Sequence, residues 1–507
     1  MLRNKLLIPS LILIISSSLG IISSFGLPPY GFYFFNFIVF PALFYIVLNH
    51  KIIFNFFIGW SFGFGYFFSN LYWLTNSLTF EEIFKPLIPV VLILLPLLLG
   101  LFYALSILLF SIINKKKDLS SLLLFIIILS LVDFLRGTLL TNFPWNITVY
   151  SLTNLYNSVQ LLSIVGTYTL NLFVLTIFLI PAVFLLKIKL IKQLIIVSLA
   201  IVFCFINYVY GSIAINNFQK NKPNNLQSIV KIISPSISLD KFFEGTSPES
   251  ILKELVKISK PEMETNTLFI FPEGLLNIYL KDLSYYKNFF KENFSEKHQI
   301  IIGINSMKEN NIYNSMVIVD NNTKLIKKYD KNKLVPFGEY LPFEVFLKKI
   351  GLKKITQGYQ SFSESSEREI FNLNGIKFLP LICYEIIDTG KLNPNNDNFD
   401  FILNISEDGW FGNSIGIHQH FAHSKFRAIE EGKYVIRSTN NGITAIIEPT
   451  GNYLKKIEST EKGFIELKEY RNTKKTLFSS LGNKIFFYLI LIYISFFLFL
   501  TKFKRGL

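Results

Sequence analysis

Eight long apolar stretches dominate the pattern of hydrophobic and polar positions along the chain. They lie at residues 5–24, 31–49, 54–75, 88–113, 119–135, 160–186, 190–210 and 484–501. A helix needs about 20 apolar residues to cross the hydrocarbon core of a bilayer, so each stretch predicts a membrane span. The first stretch follows the basic "MLRNK" and has no small-residue cleavage site behind it, so we interpret it as an uncleaved helix.

The polar block between the seventh and eighth stretches has a different pattern, made of short runs rich in β-branched residues. These runs lie at residues 228–234, 267–271, 299–304, 315–320, 378–383, 401–405, 434–438 and 443–448. Helix-like segments lie between some of them, at 248–259 and 419–432. Near-continuous apolar strands are typical of sheets covered by helices, so the block predicts an α/β or α+β sandwich. The predicted domains are therefore a seven-helix membrane domain at 1–211, a globular domain at 212–480 and a last membrane helix at 481–507.

Composition supports the membrane interpretation. Hydrophobic residues make up 51% of the 507 residues and charged residues only 17%, which is outside the range of soluble proteins. Of the formal net charge of +15, residues 212–480 carry 35 basic and 31 acidic residues, or +4, and the rest carries 15 and 4, or +11. The excess flanks the apolar stretches, so it indicates membrane topology and no nucleic-acid partner.

The short loops set the predicted orientation, because lysine and arginine stay on the cytoplasmic side. With the N-terminus inside, only Lys85, Arg136 and Lys484 fall outside. The basic residues on the cytoplasmic side are Arg3, Lys5, Lys51, Lys115, Lys116, Lys117, Lys187, Lys189, Lys192, Lys502, Lys504 and Arg505. Seven crossings then place residues 212–480 at the outer face of the membrane.

Three side chains suited to catalysis follow predicted strands or turns in the polar block. Glu273 ends "TLFIFPEG", Lys331 lies in "KKYDKNKL" and Cys383 ends "FLPLIC". A cysteine nucleophile needs a base for its proton and a cation or N–H groups for the developing oxyanion. Glutamate, lysine and cysteine would supply these roles.

Each residue alone also has a structural interpretation. A cysteine that closes an apolar strand is usually an inert buried thiol, and Lys331 lies among several other lysines that suggest a solvated cluster. Glu273 would serve equally well as a helix cap. Cys204, the only other cysteine, lies in an apolar run, so a disulfide framework is excluded.

Together, four motifs resemble the nitrilase superfamily in order and context. They are "FPEG" (271–274), "YDKNKLVPFGEYLP" (329–342), "ICYE" (382–385) and "NISEDGWFGNSIGIHQH" (404–420). With the eight spans, and with "GTLLTNFPWN" (137–146) and "RSTNNGITAIIEPTGN" (437–452), the chain resembles the apolipoprotein N-acyltransferase family of bacterial inner membranes. The resemblance implies a multi-pass α-helical membrane domain joined to an αββα sandwich of the nitrilase type.

The same resemblance implies roles for individual residues. Glu273 would be the general base, Lys331 the oxyanion stabiliser and Cys383 the attacking thiol. Supporting or substrate-binding roles are implied for Glu339, Tyr384, Glu385 and Trp145. The segment "IISPSISLDKFFEG" (232–245) departs from the family, because it lacks the expected tryptophan and has Phe242 in that region.

No metal and no cofactor are predicted. The histidines of "HQHFAH", at 418, 420 and 423, have a spacing that can bind zinc, but no further cysteine or acid with a suitable spacing accompanies them. Signatures of zinc proteases, nucleotide hydrolases and dinucleotide-binding enzymes are missing from the sequence.

The resemblance implies an acyl transfer in two half-reactions. A phospholipid would donate an acyl chain to Cys383 as a thioester, and the α-amine of a diacylglyceryl-cysteine apolipoprotein would accept it. The expected location is the bacterial inner membrane, with the catalytic domain on the periplasmic side, and we expect a monomer. The apolar segment "YLPFEVFL" (340–347) would dip into the membrane interface. Two other functions stay open: a membrane-tethered amidase of the nitrilase type acting on small amides, and a non-catalytic lipoprotein or lipid receptor.

Overall fold

The computed structural model describes residues 2–139, 142–242, 246–342, 344, 349, 354, 361–366, 368–373, 375–393, 395 and 397–503. The chain divides into two compact units. Residues 1–215 and 480–507 form the first unit, and residues 216–479 form the second.

The first unit is helical, and each predicted apolar stretch contains a helix. The helices are α1 (Leu2–Ser24), α2 (Asn36–Leu48), α3 (Ile52–Leu71), α4 (Ile88–Ile113), α5 (Leu119–Thr138), α6 (Tyr156–Val159), α7 (Leu162–Leu179) and α8 (Leu190–Lys220). Short 3-10 helices lie at Tyr33–Phe35, Tyr72–Leu78, Lys85–Leu87, Thr148–Leu152 and Ile180–Leu185. The last apolar stretch forms the helix Lys484–Phe503.

Six helices in the described part of the chain are long and apolar enough to cross a membrane. Two further apolar helical segments, Ile8–Ser24 within α1 and Tyr33–Leu48, contain 10–17 residues each. The predicted stretch 31–49 begins before its helix, because the chain turns at Gly31, whose φ is +69°. Large apolar side chains remain exposed along α8, such as Leu199 at 63% and Phe205 at 66%. Such a surface fits lipid and not water, so the chain is a multi-pass membrane protein.

Helices α3 and α4 approach each other through glycines. A Cβ atom on Gly63 would lie 2.7 Å from the Cα atom of Gly100. Membrane helices gain much of their packing energy from such close backbone contact, because lipid supplies no hydrophobic drive between helices.

The second unit contains two six-stranded sheets, which confirms the predicted sandwich. The strands are β1 (Pro223–Ser234), β2 (Thr267–Ile270), β3 (His298–Lys308), β4 (Asn311–Val319), β5 (Leu325–Asp330), β6 (Phe371–Leu373), β7 (Ile376–Ile382), β8 (Phe401–Glu407), β9 (Tyr434–Asn440), β10 (Thr444–Ile447), β11 (Tyr453–Ile457) and β12 (Gly463–Arg471). Their orders are β12-β1-β2-β3-β4-β5 and β11-β10-β9-β8-β7-β6. Every strand that the sequence predicts is an inner strand of one of these sheets.

The sheets pack face to face, and helices cover their outer faces. The Ser438 hydroxyl group on β9 donates to the carbonyl oxygens of Ile233, 2.8 Å away, and Ile270, 3.1 Å away, in the other sheet. Buried side chains of α9 (Pro248–Ser259) and α10 (Lys287–Asn293) pack on the first sheet. Helix α11 (Ile415–Glu431) is buried along almost its whole length and packs on the second sheet, and α12 (Leu477–Leu481) and α13 (Lys484–Phe503) follow. Helix α9 has the predicted bounds, whereas α11 begins four residues before its prediction.

The directions of the strands determine where the loops that carry the candidate catalytic residues lie. In the first sheet β2 runs parallel to β1 and β3, and in the second sheet β8 runs parallel to β7 and β9. Loops that follow the carboxyl ends of parallel strands meet at one edge, where α/β folds build their sites.

Candidate active site

The three predicted catalytic side chains come together in the second unit. Glu273 follows β2, Lys331 directly follows β5 and Cys383 directly follows β7. The Lys331 amino nitrogen lies 3.3 Å from Glu273 Oε1, and both charges act on the Cys383 thiol. Their catalytic roles stay predictions, but one cluster holds all three groups.

The Glu273 carboxylate is buried, at 7% exposure, and is held by both sheets. Its Oε1 accepts a hydrogen bond from Asn314 Nδ2 at 2.7 Å, and its Oε2 accepts one from the backbone N–H of Glu407 at 2.9 Å. Asn314 lies on β4 of the first sheet and Glu407 ends β8 of the second. The carboxylate is thus fixed in one orientation, and neither of these bonds caps a helix.

Lys331 is buried, at 1% exposure, and does not belong to a solvated lysine cluster. Its amino nitrogen lies 2.9 Å from Glu339 Oε1, and Asn314 Nδ2 donates to the same oxygen at 2.8 Å. Burial alone would lower the pKa of Lys331, but the charges of Glu273 and Glu339 outweigh it and raise that pKa above its usual range. Lys331 therefore stays protonated, and a fixed ammonium group of this kind can stabilise negative charge on a reacting oxygen.

Gly303 on β3 provides a test of how closely Glu273 must be positioned. A Cβ atom at residue 303 would lie 2.5 Å from Glu273 Cα, closer than Cβ atoms approach their neighbours in folded proteins. Changing Gly303→Ala must therefore displace the Glu273 backbone. A catalytic group misplaced by about 1 Å can cost on the order of 10²-fold in rate, so we expect acyl-enzyme formation to slow at least about tenfold.

The matched control is Gly463→Ala on β12, where an added Cβ meets nothing closer than the Ile457 Cδ1 atom at 3.7 Å. This variant should acylate at the wild-type rate in the same assay. Equal rates for the two alanine variants would contradict a positioned role for Glu273.

Cys383 sits at a sharp turn between β7 and the 3-10 helix Cys383–Ile387. Its φ is +51°, a left-handed conformation that costs a residue with a side chain roughly 1–2 kcal/mol. Such a conformation persists only where the surroundings hold it. One such contact is the Asn404 side chain, whose Nδ2 donates to the Leu381 carbonyl oxygen at 3.3 Å.

The electrostatic surroundings make the Cys383 thiol dependent on a base. Burial raises the pKa of this thiol well above its usual range, and the charge of Glu273 raises it further. Lys331 and a hydrogen bond with Ser406 oppose these effects without cancelling them. The thiol is therefore neutral at neutral pH, and its proton must be removed during the reaction.

Glu385 is fully buried and connects the Cys383 turn to the Lys331 loop. Its Oε1 accepts from the Tyr329 hydroxyl at 2.7 Å, from Arg368 at 2.9 Å and from the backbone N–H groups of the two residues after Lys331. Its Oε2 accepts from the backbone N–H of Ile382 at 2.6 Å. These contacts are structural, so the geometry favours a positioning role.

Tyr384 is buried beside the cluster. The Lys333 amino nitrogen lies 5.0 Å from the centre of its ring, and Lys333 also pairs with Asp388 at 2.5 Å. Burial raises the pKa of the Tyr384 phenol well above its usual value. The phenol is thus uncharged and is suited to contacts with a substrate and not to proton removal.

A buried polar network behind Cys383 is absent from the sequence predictions. Asp408 Oδ2 lies 2.7 Å from the Arg437 guanidinium, and Asp408 Oδ1 lies 3.0 Å from His420 Nδ1. Burial alone would raise the pKa of Asp408, but Arg437 and His420 hold it well below its usual range. Ser406, which lies beside the Cys383 thiol, donates to Asp408 Oδ1 at 2.7 Å. One signal was available: a charged residue, Arg437, interrupts the apolar run of a buried strand.

The three histidines of "HQHFAH" lie inside helix α11. Two of them, His420 and His423, are fully buried, and burial lowers the pKa of both rings. Within the described ranges of the chain, no group of three or more histidine, cysteine or acidic side chains could hold a metal ion.

Trp145 lies in the first unit, where its ring is buried at 1% exposure. It stacks on Phe143 with the ring centres 5.9 Å apart, and its backbone carbonyl oxygen accepts from Arg136 at 2.7 Å. Its surroundings are those of a core residue of that unit, and a substrate contact there stays a prediction.

Two predicted segments are described only in part. In 232–245, the backbone of Ile237 exchanges two hydrogen bonds of 2.8 Å with the Asn440 side chain. Residues 243–245 and the Phe242 side chain lie outside the described part of the chain, as do residues 343 and 345–347 of "YLPFEVFL".

Two family models match the chain. The apolipoprotein N-acyltransferase N-terminal domain matches residues 19–180, and the carbon-nitrogen hydrolase family matches residues 261–468. Among solved structures, a carbon-nitrogen hydrolase superfamily protein from Xanthomonas campestris aligns with a TM-score of 0.33 and 14% identity, over 47% of this chain and 89% of that one.

Related sequences align with nearly the whole length of this chain. An apolipoprotein N-acyltransferase of Rickettsia prowazekii is 31% identical over 435 residues, covering 84% of this chain and 85% of its own. The apolipoprotein N-acyltransferase of Agrobacterium fabrum is 29% identical, covering 88% of both chains, and that of Rhizobium rhizogenes is 27% identical, covering 90% of this chain and 89% of its own. The similarity therefore extends over both units.

Proposed function

Because the chain belongs to the apolipoprotein N-acyltransferase family, we propose that it acylates the α-amine of lipoproteins through a thioester at Cys383. The chain is an acyltransferase enzyme of the nitrilase-like kind. The observation that carries the proposed mechanism is the buried cluster in which Glu273, Lys331 and Cys383 act on one another.

The first half-reaction loads Cys383 from a phospholipid. Glu273 accepts the thiol proton, and the thiolate attacks the carbonyl carbon of the sn-1 ester, forming a carbon–sulfur bond. Lys331 and a backbone N–H near Tyr384 stabilise the negative charge on the carbonyl oxygen. The bond to the glycerol oxygen then breaks, Glu273 returns its proton to that oxygen, and a lysophospholipid leaves.

The second half-reaction transfers the acyl chain to a lipoprotein. The free α-amine of a diacylglyceryl-cysteine attacks the thioester carbon, and Glu273 accepts a proton from the attacking nitrogen. The carbon–sulfur bond breaks, Glu273 passes that proton to the departing Cys383 thiolate, and an amide remains. A thioester suits this step because an amine displaces a thiolate more readily than an alkoxide.

The supporting residues fit this scheme through their contacts. Glu339 fixes the Lys331 ammonium group, and Glu385 holds the Cys383 turn against the Lys331 loop. Roles in substrate binding are proposed for Tyr384 and Trp145.

Location and partners follow from the family and from loop charge. The chain is a multi-pass membrane protein of bacteria, and membrane-bound lipoprotein N-acylation implies lipid and lipoprotein substrates. The loop lysines and arginines support an inner-membrane orientation with residues 212–480 on the periplasmic side. The donor would be a phospholipid, the acceptor a diacylglyceryl apolipoprotein, and the enzyme a monomer.

The test separates transfer from hydrolysis. A transferase must keep water from its thioester until the amine arrives, so phospholipid alone should leave the enzyme as a persistent acyl-thioester at Cys383. Adding a diacylglyceryl-cysteine peptide should discharge it and yield an N-acyl peptide. Intact-protein mass spectrometry measures the loaded enzyme, and mass spectrometry of the peptide measures the product.

The control is the same peptide with its α-amine acetylated, which should leave the enzyme loaded. Steady release of free fatty acid from phospholipid alone, at the rate seen with the peptide, would indicate a hydrolase. Turnover of small soluble amides without phospholipid would indicate an amidase, and an unloaded Cys383 with retained lipid binding would indicate a receptor.

A further inference from the structure

A cavity of about 940 Å³ opens in the first unit, at the ends of helices α2 to α5. It lies where α2 joins α3 and where α4 joins α5, far along the sequence from Glu273, Lys331 and Cys383. Its polar lining includes His50, Lys51, Asn55, Lys115, Lys116 and Lys117.

The rest of the lining is apolar and continues onto the outside of the helices. Leu48 and Phe110 line the cavity, as do Ile53 and Phe57, which are 77% and 43% exposed. The cavity therefore has a cationic end and an apolar wall that reaches the surface proposed to face lipid.

The positive charge at the cationic end is not balanced by nearby acids. The loops 49–51 and 114–118 contain four lysines and one aspartate, a net charge of +3. The aspartate, Asp118, caps α5 by accepting from the backbone N–H of Ser120 at 2.9 Å. Lys116 donates to a backbone carbonyl oxygen at 3.4 Å and Lys117 to the Asn49 amide oxygen at 2.9 Å, both neutral acceptors.

Asn55 on α3 connects two walls of the cavity. Asn55 is 2% exposed, and its Nδ2 donates to the Val47 carbonyl oxygen and the Ser111 hydroxyl oxygen, each at 2.9 Å. These bonds hold the ends of α2 and α4 on either side of the cavity.

Membrane orientation alone does not account for this arrangement. Lys187, Lys189 and Lys192 lie before and in the first turn of α8, on the same proposed side of the membrane, and they satisfy the same charge rule without lining the cavity. Orientation explains why the lysines are on this side, but not why four of them surround a cavity with an apolar wall.

We propose that this cavity binds an anionic phospholipid, with its phosphate at the lysines and an acyl chain along the apolar wall. Basic pockets between membrane helices on the cytoplasmic side are suited to acidic headgroups. A free phosphate would fill little of the cavity and would leave the apolar wall unused.

The experiment titrates the purified full-length protein in nonionic detergent and counts bound lipid by native mass spectrometry. The probes are phosphatidylglycerol, phosphatidylcholine with the same acyl chains, and inorganic phosphate. The cavity variant combines Lys51→Gln, Lys115→Gln and Lys117→Gln. The control removes the same charge elsewhere on that side and combines Lys187→Gln, Lys189→Gln and Lys192→Gln.

Each lysine near an acidic headgroup contributes on the order of 1 kcal/mol, so the cavity variant should bind phosphatidylglycerol at least about tenfold more weakly than wild type. The control variant should bind like wild type, and phosphatidylcholine should bind weakly to both. Arginine at residues 51, 115 and 117 should restore binding, which separates loss of charge from loss of folding.

Three results would overturn the proposal. Equal weakening in the cavity and control variants would indicate general surface attraction. Equal affinity for phosphatidylglycerol and phosphatidylcholine would show that the negative charge of the lipid does not contribute to binding. Displacement of phosphatidylglycerol by an equal concentration of inorganic phosphate would indicate a phosphate site in place of a lipid site.

Discussion

Replacing Cys383 with alanine should abolish acyl-enzyme formation. The thiol is the proposed nucleophile, on which the charges of Glu273 and Lys331 act, and a methyl group cannot attack an ester. Loss of a nucleophile commonly costs on the order of 10⁶-fold in rate, so the variant should give no thioester and no N-acyl peptide. Intact-protein mass spectrometry after incubation with phospholipid measures the first effect.

The chain contains one other cysteine, which provides the control. Cys204 is exposed on α8 in the first unit, and Cys204→Ala should acylate at the wild-type rate. If the Cys383→Ala protein gained the mass of one acyl chain, or if the Cys204→Ala protein failed to gain it, the nucleophile would not be Cys383.

Changing Glu385→Gln should damage both the stability and the reaction, although this side chain makes structural contacts only. The variant keeps the shape but leaves the buried Arg368 guanidinium without its carboxylate, 2.9 Å away. Removing one partner of a buried ion pair lowers the free energy of unfolding by about 3–5 kcal/mol. The thermal unfolding midpoint of the second unit should fall by roughly 10 °C.

The rate of thioester formation should also fall at temperatures where the variant stays folded, because the Cys383 turn and the Lys331 loop lose their shared anchor. Glu264→Gln is the matched control, since the Glu264 side chain is 91% exposed and pairs with Lys297 at the surface. Exposed pairs contribute about 0–1 kcal/mol, so this variant should melt and react like wild type. Similar melting of both variants would show that Glu385 is not an anchor.

The sequence predicts the interior of the sandwich and misses its borders. The four unpredicted strands, β5, β6, β11 and β12, are the four edge strands of the two sheets. Strand β12 reads "GFIELKEYR" and β11 reads "YLKKI", in which lysine and glutamate interrupt the apolar residues. Edge strands carry such charges because one side faces water and must not pair with other chains. A search for continuous apolar runs therefore finds only strands with neighbours on both sides.

The candidate site also contains some residues that the sequence predicts and others that only the fold reveals. Residues that follow apolar strands, such as Glu273 and Cys383, can be predicted because the strand before them is recognisable in the sequence. Asn314 bonds to both Glu273 and Glu339, but its partners lie 41 and 25 residues away, and nothing local marks that meeting. Arg437 and Asn404 were visible as polar interruptions of buried strands, yet only the fold shows that they meet each other.

The buried position of Lys331 between two glutamates has a consequence for the first chemical step. With both carboxyl groups ionised, Glu273, Glu339 and Lys331 sum to a formal charge of −1 beside a neutral thiol. Passing the thiol proton to Glu273 neutralises one anion and creates another, so the sum is still −1. The step moves charge by a few ångströms inside the pocket and draws no ion or proton from outside. A water-poor site can therefore form its thiolate without the solvation that would also expose the thioester to hydrolysis.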